Sequence, residues 1–254
     1  MLLRTSRGRQ KRERFLIEGA RGVRDALLRS ECVEELLLAH DRSNGLIAEI
    51  RALAAKAGIP ATIVDAHELE RVSAVVRCQG VVAIARMPAQ PPTRFPLFPD
   101  GGPGVGLVLD GVADPGNLGT LVRTADAAGC VALLRTPGSG DLYNPKIVRA
   151  AAGSLLGLPP RLLDPATIVA KARAEGIATV LLSAAGTTSL DRFVAPDRLL
   201  IVAGSEPRGA GEVLRNAATH TLSIALHRGA ESLNVAVATA VVLFALRDRE
   251  PRNT

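Results

Sequence analysis

The sequence predicts an α/β protein. A C-terminal, mostly parallel β-sheet covered by helices on both faces follows a small N-terminal α/β domain. Three observations carry this prediction. Beyond residue 104, short continuous apolar runs alternate with longer segments of helical period, the pattern of strands buried on both faces and joined by helical crossovers. A weaker version of the same alternation fills residues 15–87. Between them lies MPAQPPTRFPLFPDGGPG, residues 87–104, whose six prolines and three glycines favour extended or turning backbone. The expected organisation is therefore a basic arm at 1–14, a first domain at 15–87, a Pro/Gly-rich linker at 88–104 and a second domain at 105–254.

In order along the first domain, GARGVRDALLRS reads as a helix and VEELLLAH as a strand. NGLIAEIRALAAKAG is a helix closed by Gly58, a favoured C′ residue, and PATIV is a strand. DAHELERV opens with Asp65 as N-cap and Glu68 three residues on, and QGVVAIAR is a strand. In the second domain VGLVLDG is a buried strand and NLGTLVRTADAAG a helix ended by Gly129. VALLRT is a strand, and NPKIVRAAAGSLLG a single helix with Asn144 as cap and Pro145 at its first position. DPATIVAKARAEG repeats that logic with Asp164, Pro165 and Gly176. Strands IATVLLSA and RLLIVAG, helix AGEVLRNA, strand THTLSIAL and helix ESLNVAVATAVVLFALRDR complete the chain.

Composition narrows the function classes. Hydrophobic residues make up 47% of the 254, enough for two cores, yet aromatics make up only 2%, so platforms for stacking bases are not expected. Net charge is +6, and residues 1–14 hold Arg4, Arg7, Arg9, Lys11, Arg12 and Arg14 against the single acid Glu13. Such an arm suits phosphate backbones, or is simply a solvated tail. Cys32, Cys78 and Cys130 form no paired pattern, which fits a reducing compartment, and with His40, His67, His220 and His227 they form no metal-ligand spacing. No metal is expected. The N-terminus lacks the apolar core of a secretory signal, and the longest apolar run, residues 233–246, is short for a membrane span. A soluble, cytoplasmic protein with no membrane partner is expected.

Three loops follow predicted strands, where open α/β sheets bind ligands. They are DGVADPGNLGTLVR, GSEPRGAG (residues 204–211) and HRGAESLN (residues 227–234). A dinucleotide fingerprint is not satisfied. Gly116 and Gly119 lack the leading glycine pair, and Arg135 and Thr136 stand where a ribose-binding acid would be needed. No nucleophile elbow and no P-loop lysine occur.

NLGTLVRTA, IVAGSEPRG and LSIALHRGAESLNVAVATAVVLF, in this order, resemble the three motifs of the SpoU (TrmH-type) family of RNA ribose 2′-O-methyltransferases, within the SPOUT superfamily. The resemblance spans about residues 105–247. FLIEGARGVRDAL and QGVVAIA more weakly resemble the family's ribosomal-protein-like RNA-binding domain. The resemblance implies a deep trefoil knot, which no periodicity reveals, a homodimer, and S-adenosyl-L-methionine as cofactor. It assigns cofactor contacts to Gly204, Ile224, Leu233 and Ser232, with Ala203, Leu226 and Ser183 beside them. It assigns catalytic roles to Arg123, Asn117, Glu206, Ser232 and Asn234. Structural alternatives exist for six of these: core for Ile224 and Leu233, a salt bridge for Arg123, a helix cap near Ala210 for Glu206, and helix capping for Ser232 and Asn234. An arginine stays protonated near neutral pH, so Arg123 is better read as clamping the target phosphate and stabilising a developing alkoxide than as a base. The chain departs from the family at Ala225 and Leu226, where proline and methionine are common, and at Pro207 and Arg208, where Gly-Lys is.

The expected activity is S-adenosylmethionine-dependent methylation of a ribose 2′-hydroxyl in RNA, with large-subunit rRNA as substrate. The alternatives are a tRNA 2′-O-methyltransferase, or an RNA-binding scaffold without turnover. The apolar last helix is a candidate dimer interface.

Overall fold

A computed structural model describes residues 2–29, 32–40, 45–74, 78–226 and 231–247. The chain divides into two compact units. One comprises Met1–Ala89 together with Asp141–Gly157, and the other comprises Gln90–Gly140 together with Leu158–Thr254.

The first unit opens with a short 3-10 turn, Leu2–Arg4, and helix α1, Ser6–Arg12, capped by the Thr5 hydroxyl, which accepts from the Gly8 amide. The basic arm is therefore folded. Strand β1, Arg14–Glu18, leads to α2, Ala20–Arg29, β2, Val33–Ala39, α3, Gly45–Lys56, β3, Ala61–Val64, α4, Ala66–Val72, and β4, Val81–Arg86. Asp65 caps α4 by accepting from the Glu68 amide at 2.7 Å, as its spacing predicts. The sheet order is β1-β4-β2-β3, antiparallel except for the parallel β2–β3 pair. Leu16, Ala39, Leu69 and Val82 form a core cluster on it.

The second unit starts in the proline-rich stretch, which is no free spacer. Leu97 and Phe98 are fully buried in this unit's core. The Gln90 side chain bonds the Leu162 amide and the Pro160 carbonyl, Arg161 donates to the Phe95 and Pro96 carbonyls, and the Leu97 amide donates to Glu175. The proline content sets the extended backbone, while two apolar side chains and three polar ones, those of Gln90, Arg161 and Glu175, decide where it lies.

Strand β5, Gly104–Asp110, is followed by α5, Pro115–Ala127, β6, Ala132–Arg135, and then by α6, Pro145–Ala150, and α7, Ser154–Gly157. These last two belong to the first unit. The predicted single helix is thus two: Ala152 and Gly153 take positive φ (48° and 86°), which no α-helix accommodates. The chain continues through β7, Arg161–Leu162, α8, Pro165–Ala174, β8, Ala178–Leu182, β9, Thr188–Ser189, β10, Arg198–Gly204, α9, Glu212–Ala217, β11, His220–Ser223, and α10, Val235–Arg247. Asp114, Asn144 and Asp164 cap α5, α6 and α8 with proline at the first turn of each.

The seven strands among the described residues of the second unit are parallel, in the order β7-β6-β5-β10-β8-β11-β9. Val108, Leu134, Leu200 and Val202 pack with Ile168 and Ala172 of α8 and Leu214 of α9. Because strand side chains alternate, Leu107, Leu109, Ile201 and Ala203 face the other side. Helix α10 packs there on β10 and on α5. The fold is the expected α/β sandwich with a parallel sheet and a small N-terminal α/β domain.

Candidate active site

β11 ends at Ser223, three residues before the end of its predicted apolar run, and α10 begins at Val235, not at Glu231. Ile224, Leu226 and Ser232 to Asn234, described residues between these two elements, help line a cleft of about 560 Å³ at the carboxyl ends of β8, β10 and β11. Residues 227–230 of the third loop lie outside the described residues. The walls are Leu182, Ser183 and Ala184 after β8, Val202 to Glu206 and Gly209 at the end of β10, Leu222, Ile224 and Leu226 after β11, and Ser232 to Val235 with Ala238 at the start of α10. Gly204, Ile224, Leu233, Ala203, Leu226, Ser183 and Ser232 all line it. Among the described lining residues Glu206 alone carries a charge. A largely apolar cleft with a few convergent polar groups suits a ligand that has a flat apolar part and a cationic or polar part.

The loop after β10 is a tight closure. The Ser205 amide donates to the Gly209 carbonyl at 3.0 Å, and the Gly209 amide returns to Ser205 at 2.7 Å. A Cβ on Gly204 would sit 2.2 Å from the Ala210 nitrogen and the Gly209 carbonyl carbon. Only glycine lets the strand end approach its own returning loop so closely.

Three polar side chains from three separate segments meet at the rim. Asn117 Nδ2 donates to Glu206 Oε1 at 2.5 Å. Asn234 Nδ2 donates to Asn117 Oδ1 at 3.0 Å and to Glu206 Oε1 at 3.3 Å. Asn234 Oδ1 accepts from the Ala236 and Val237 amides, so the same residue caps α10 and closes the network. With its oxygen committed to the helix, its amide nitrogen must face the other two, which fixes the orientation of the group. Glu206 does not cap α9, which starts at Glu212 with Gly211 as its N-cap.

Ser232 lines the cleft outside α10. Arg123 is exposed on α5 and does not line the cleft. It lies six residues beyond Asn117, about 9 Å further along the helix axis and about 120° round it. The structure thus joins Asn117, Glu206 and Asn234 and sets Arg123 apart from them.

One residue escaped the sequence reading. Asp110, at the end of β5 and paired in register with Gly204, is 7% exposed. Its Oδ1 accepts from the Thr136 hydroxyl and its Oδ2 from the Gly211 amide, each at 2.6 Å. It pins the far end of the Glu206 loop to the sheet. A charged residue closing an apolar strand was the available signal. Among the described residues there is no group of His, Cys, Asp or Glu able to hold a metal ion, and no helix long and apolar enough to cross a membrane.

Residues 104–244 match the SpoU rRNA Methylase family, and residues 16–91 match the family described as RNA 2′-O ribose methyltransferase substrate binding. The chain is 29% identical over 245 residues to 23S rRNA (guanosine(2553)-2′-O)-methyltransferase RlmP of Bacillus subtilis, covering 96% of this chain and 93% of that one. It is 36% identical over 178 residues to the 23S rRNA (uridine(2479)-2′-O)-methyltransferase of Streptomyces viridochromogenes, covering 66% and 60% of the two chains. The SpoU methyltransferase AviRb from the same organism, solved in complex with AdoMet, superposes with a TM-score of 0.85 at 28% identity over 97% of this chain and 94% of that one. With a family model matched across more than half its length, this chain belongs to the SpoU rRNA methylase family.

Proposed function

We propose that the protein transfers a methyl group from S-adenosylmethionine to a ribose 2′-hydroxyl of large-subunit rRNA. The observation that carries this is the meeting of Asn117, Glu206 and Asn234 at the rim of the apolar cleft. Ile224, Leu226 and Leu233 form the apolar wall for an adenine, and the backbone of 203–206 and 224–226 offers donors and acceptors for the rest of the cofactor. Glu206, held by both asparagines, sets a negative charge where a sulfonium would lie. When bound, the cofactor would supply an electrophilic methyl group and leave as S-adenosylhomocysteine, the 2′-hydroxyl proton passing to water or the target phosphate, and in-line alignment is the main requirement. Two relatives name a guanosine and a uridine as targets, which agrees with recognition of the ribose and backbone in place of the base.

Arg123 is assigned to the cleft of a second copy. Leu233, Val237, Val241 and Phe244 are all exposed, the last three at i, i+4 and i+7 of α10, and α10 packs beside α5. Closing a homodimer over that stripe carries an exposed Arg123 toward the partner's cleft. There it clamps the target phosphate and stabilises the developing alkoxide. The reading includes a trefoil knot formed by the second and third loops. It also includes a cytoplasmic site of action, where Cys32, Cys78 and Cys130, none of them in a disulfide, stay reduced.

The test uses radiolabelled S-adenosylmethionine and undermodified total RNA separated into large rRNA, small rRNA and tRNA. Label in large rRNA, absent with Arg123→Ala, is expected. Label in tRNA overturns the substrate, and absence of both label and cofactor binding overturns the activity. Mixing inactive Arg123→Ala and Asn234→Ala proteins restores about a quarter of the active sites if Arg123 works across a dimer. No recovery places it in its own subunit's site.

A further inference from the structure

We infer that helix α1 with its preceding turn and the inserted segment Asp141–Gly157 together form one phosphate-binding surface for duplex RNA, an inference that rests on the RNA methyltransferase reading. The two segments lie more than 130 residues apart, yet belong to the same compact unit. They are joined by a buried ion pair. Arg9, 2% exposed, donates through Nη2 and Nε to Asp141 Oδ2 at 2.5 and 3.1 Å, and through Nη1 to the Leu3 carbonyl at 2.9 Å. Asp141 Oδ1 accepts the Tyr143 amide, and the Phe15 and Tyr143 rings pack with centroids 4.9 Å apart. Burial raises the Asp141 carboxyl, but the Arg9 hydrogen bonds and charge, with hydrogen bonds from the Ser6 side chain and the Tyr143 amide, together hold the group below its ordinary value. The pair is a pin, and Arg9 itself is consumed by it.

What the pin presents is cationic. Arg4, Arg7, Lys11 and Arg12 are exposed on the first segment, and Lys146 and Arg149 on the second, where α6 buries Pro145, Ile147 and Val148 against the unit. None of these six is ion-paired with another described residue. The only acids in the two segments are Glu13 and the already neutralised Asp141. Six unpaired cations on two joined segments match a phosphodiester backbone. The aromatic rings at their junction, Phe15 and Tyr143, are buried, so nothing there stacks on splayed bases. That favours a duplex read by shape and charge over a single strand.

The complete chain is titrated with a fluorescein-labelled RNA hairpin of arbitrary sequence across a range of salt. Lys146→Ala/Arg149→Ala and Arg4→Ala/Arg7→Ala are compared with the parent, each checked by thermal melting. Each pair is expected to weaken binding about ten-fold at low salt and to reduce the log–log salt slope by about one to two. A Lys146→Ala/Arg149→Ala slope equal to the parent's overturns the inference, whatever α1 contributes. A parent that binds with these slopes but transfers no methyl group to rRNA leaves the surface standing and overturns the enzyme reading instead.

Discussion

Two segments of this chain are each held by one charged side chain from far away in the sequence, and they are held differently. The turn and helix at residues 2–12 are pinned by a full ion pair, Arg9 to Asp141. The loop at 204–211 is pinned by a lone carboxylate, Asp110, whose partners are a neutral hydroxyl and a neutral amide. An ion pair ties two charged segments by cancelling one charge from each, leaving the remaining cations facing solvent. A carboxylate held by neutral donors places a loop by hydrogen bonds alone, and Glu206 is the charged side chain among the described residues that line the cleft. The first arrangement suits a surface that binds by accumulated charge, and the second suits a site that binds by geometry.

The largest way to break this contrast is at the cleft's backbone. Gly204→Ala drives a methyl group into the 209–210 backbone and is expected to abolish the rise in melting temperature given by S-adenosylhomocysteine, while the hairpin affinity of the first unit persists. Loss of both would mean that the two regions are not independent. Next comes the ion pair. Arg9→Met leaves Asp141 partly buried and uncompensated, and is expected to lower stability by about 3 kcal/mol in urea titrations. The sign of its pH dependence follows from the lowered carboxyl. The contribution is complete above the ordinary carboxylate value of 3.8 and is lost as pH falls through the lower folded-state value. Arg9→Met should therefore unfold at higher pH than the parent, and equal acid midpoints would remove the pin's role.

Asp110→Ala orphans the Gly211 amide and the Thr136 hydroxyl, an expected loss of about 2 kcal/mol with a raised KM for S-adenosylmethionine. Asp110→Asn keeps an acceptor for Gly211 and should recover most of the KM, because the pinning needs geometry more than charge. Equal defects in the two variants would show instead that the charge matters. The smallest effect is expected at Asp164, whose exposed side chain caps α8 alone. Asp164→Ala should cost about 1 kcal/mol and leave cofactor and RNA binding unchanged.

Much of this was legible in the chain. The Asn144 and Asp164 caps and their prolines, the stop at Gly129 and the parallel alternation all rest on local chemistry within a few residues, whereas α5 starts two residues before the expected Asn117, at Pro115 behind the Asp114 cap. The cleft-lining set was legible through motif resemblance, and Gly204 and Ile224 sit at strand ends that any parallel sheet gathers on one edge, with Leu233 just before α10. The division of one expected helix at Ala152 and Gly153 was not legible, since its apolar spacing continues across the break. Neither was the burial of Leu97 and Phe98, which proline content masked.

The sequence by itself determined most of the longer elements, their order and the three loops that carry the chemistry, because capping, period and turn residues act over short range. Only the tertiary structure decided that an apparent basic arm is a folded helix, that residues 141–157 leave the second unit for the first, and that Asp110 holds the Glu206 loop. Those outcomes depend on pairs more than a hundred residues apart, Arg9 with Asp141 and Asp110 with Gly211. No local pattern encodes which distant partner a buried charge will find, and a charge that is buried must find one.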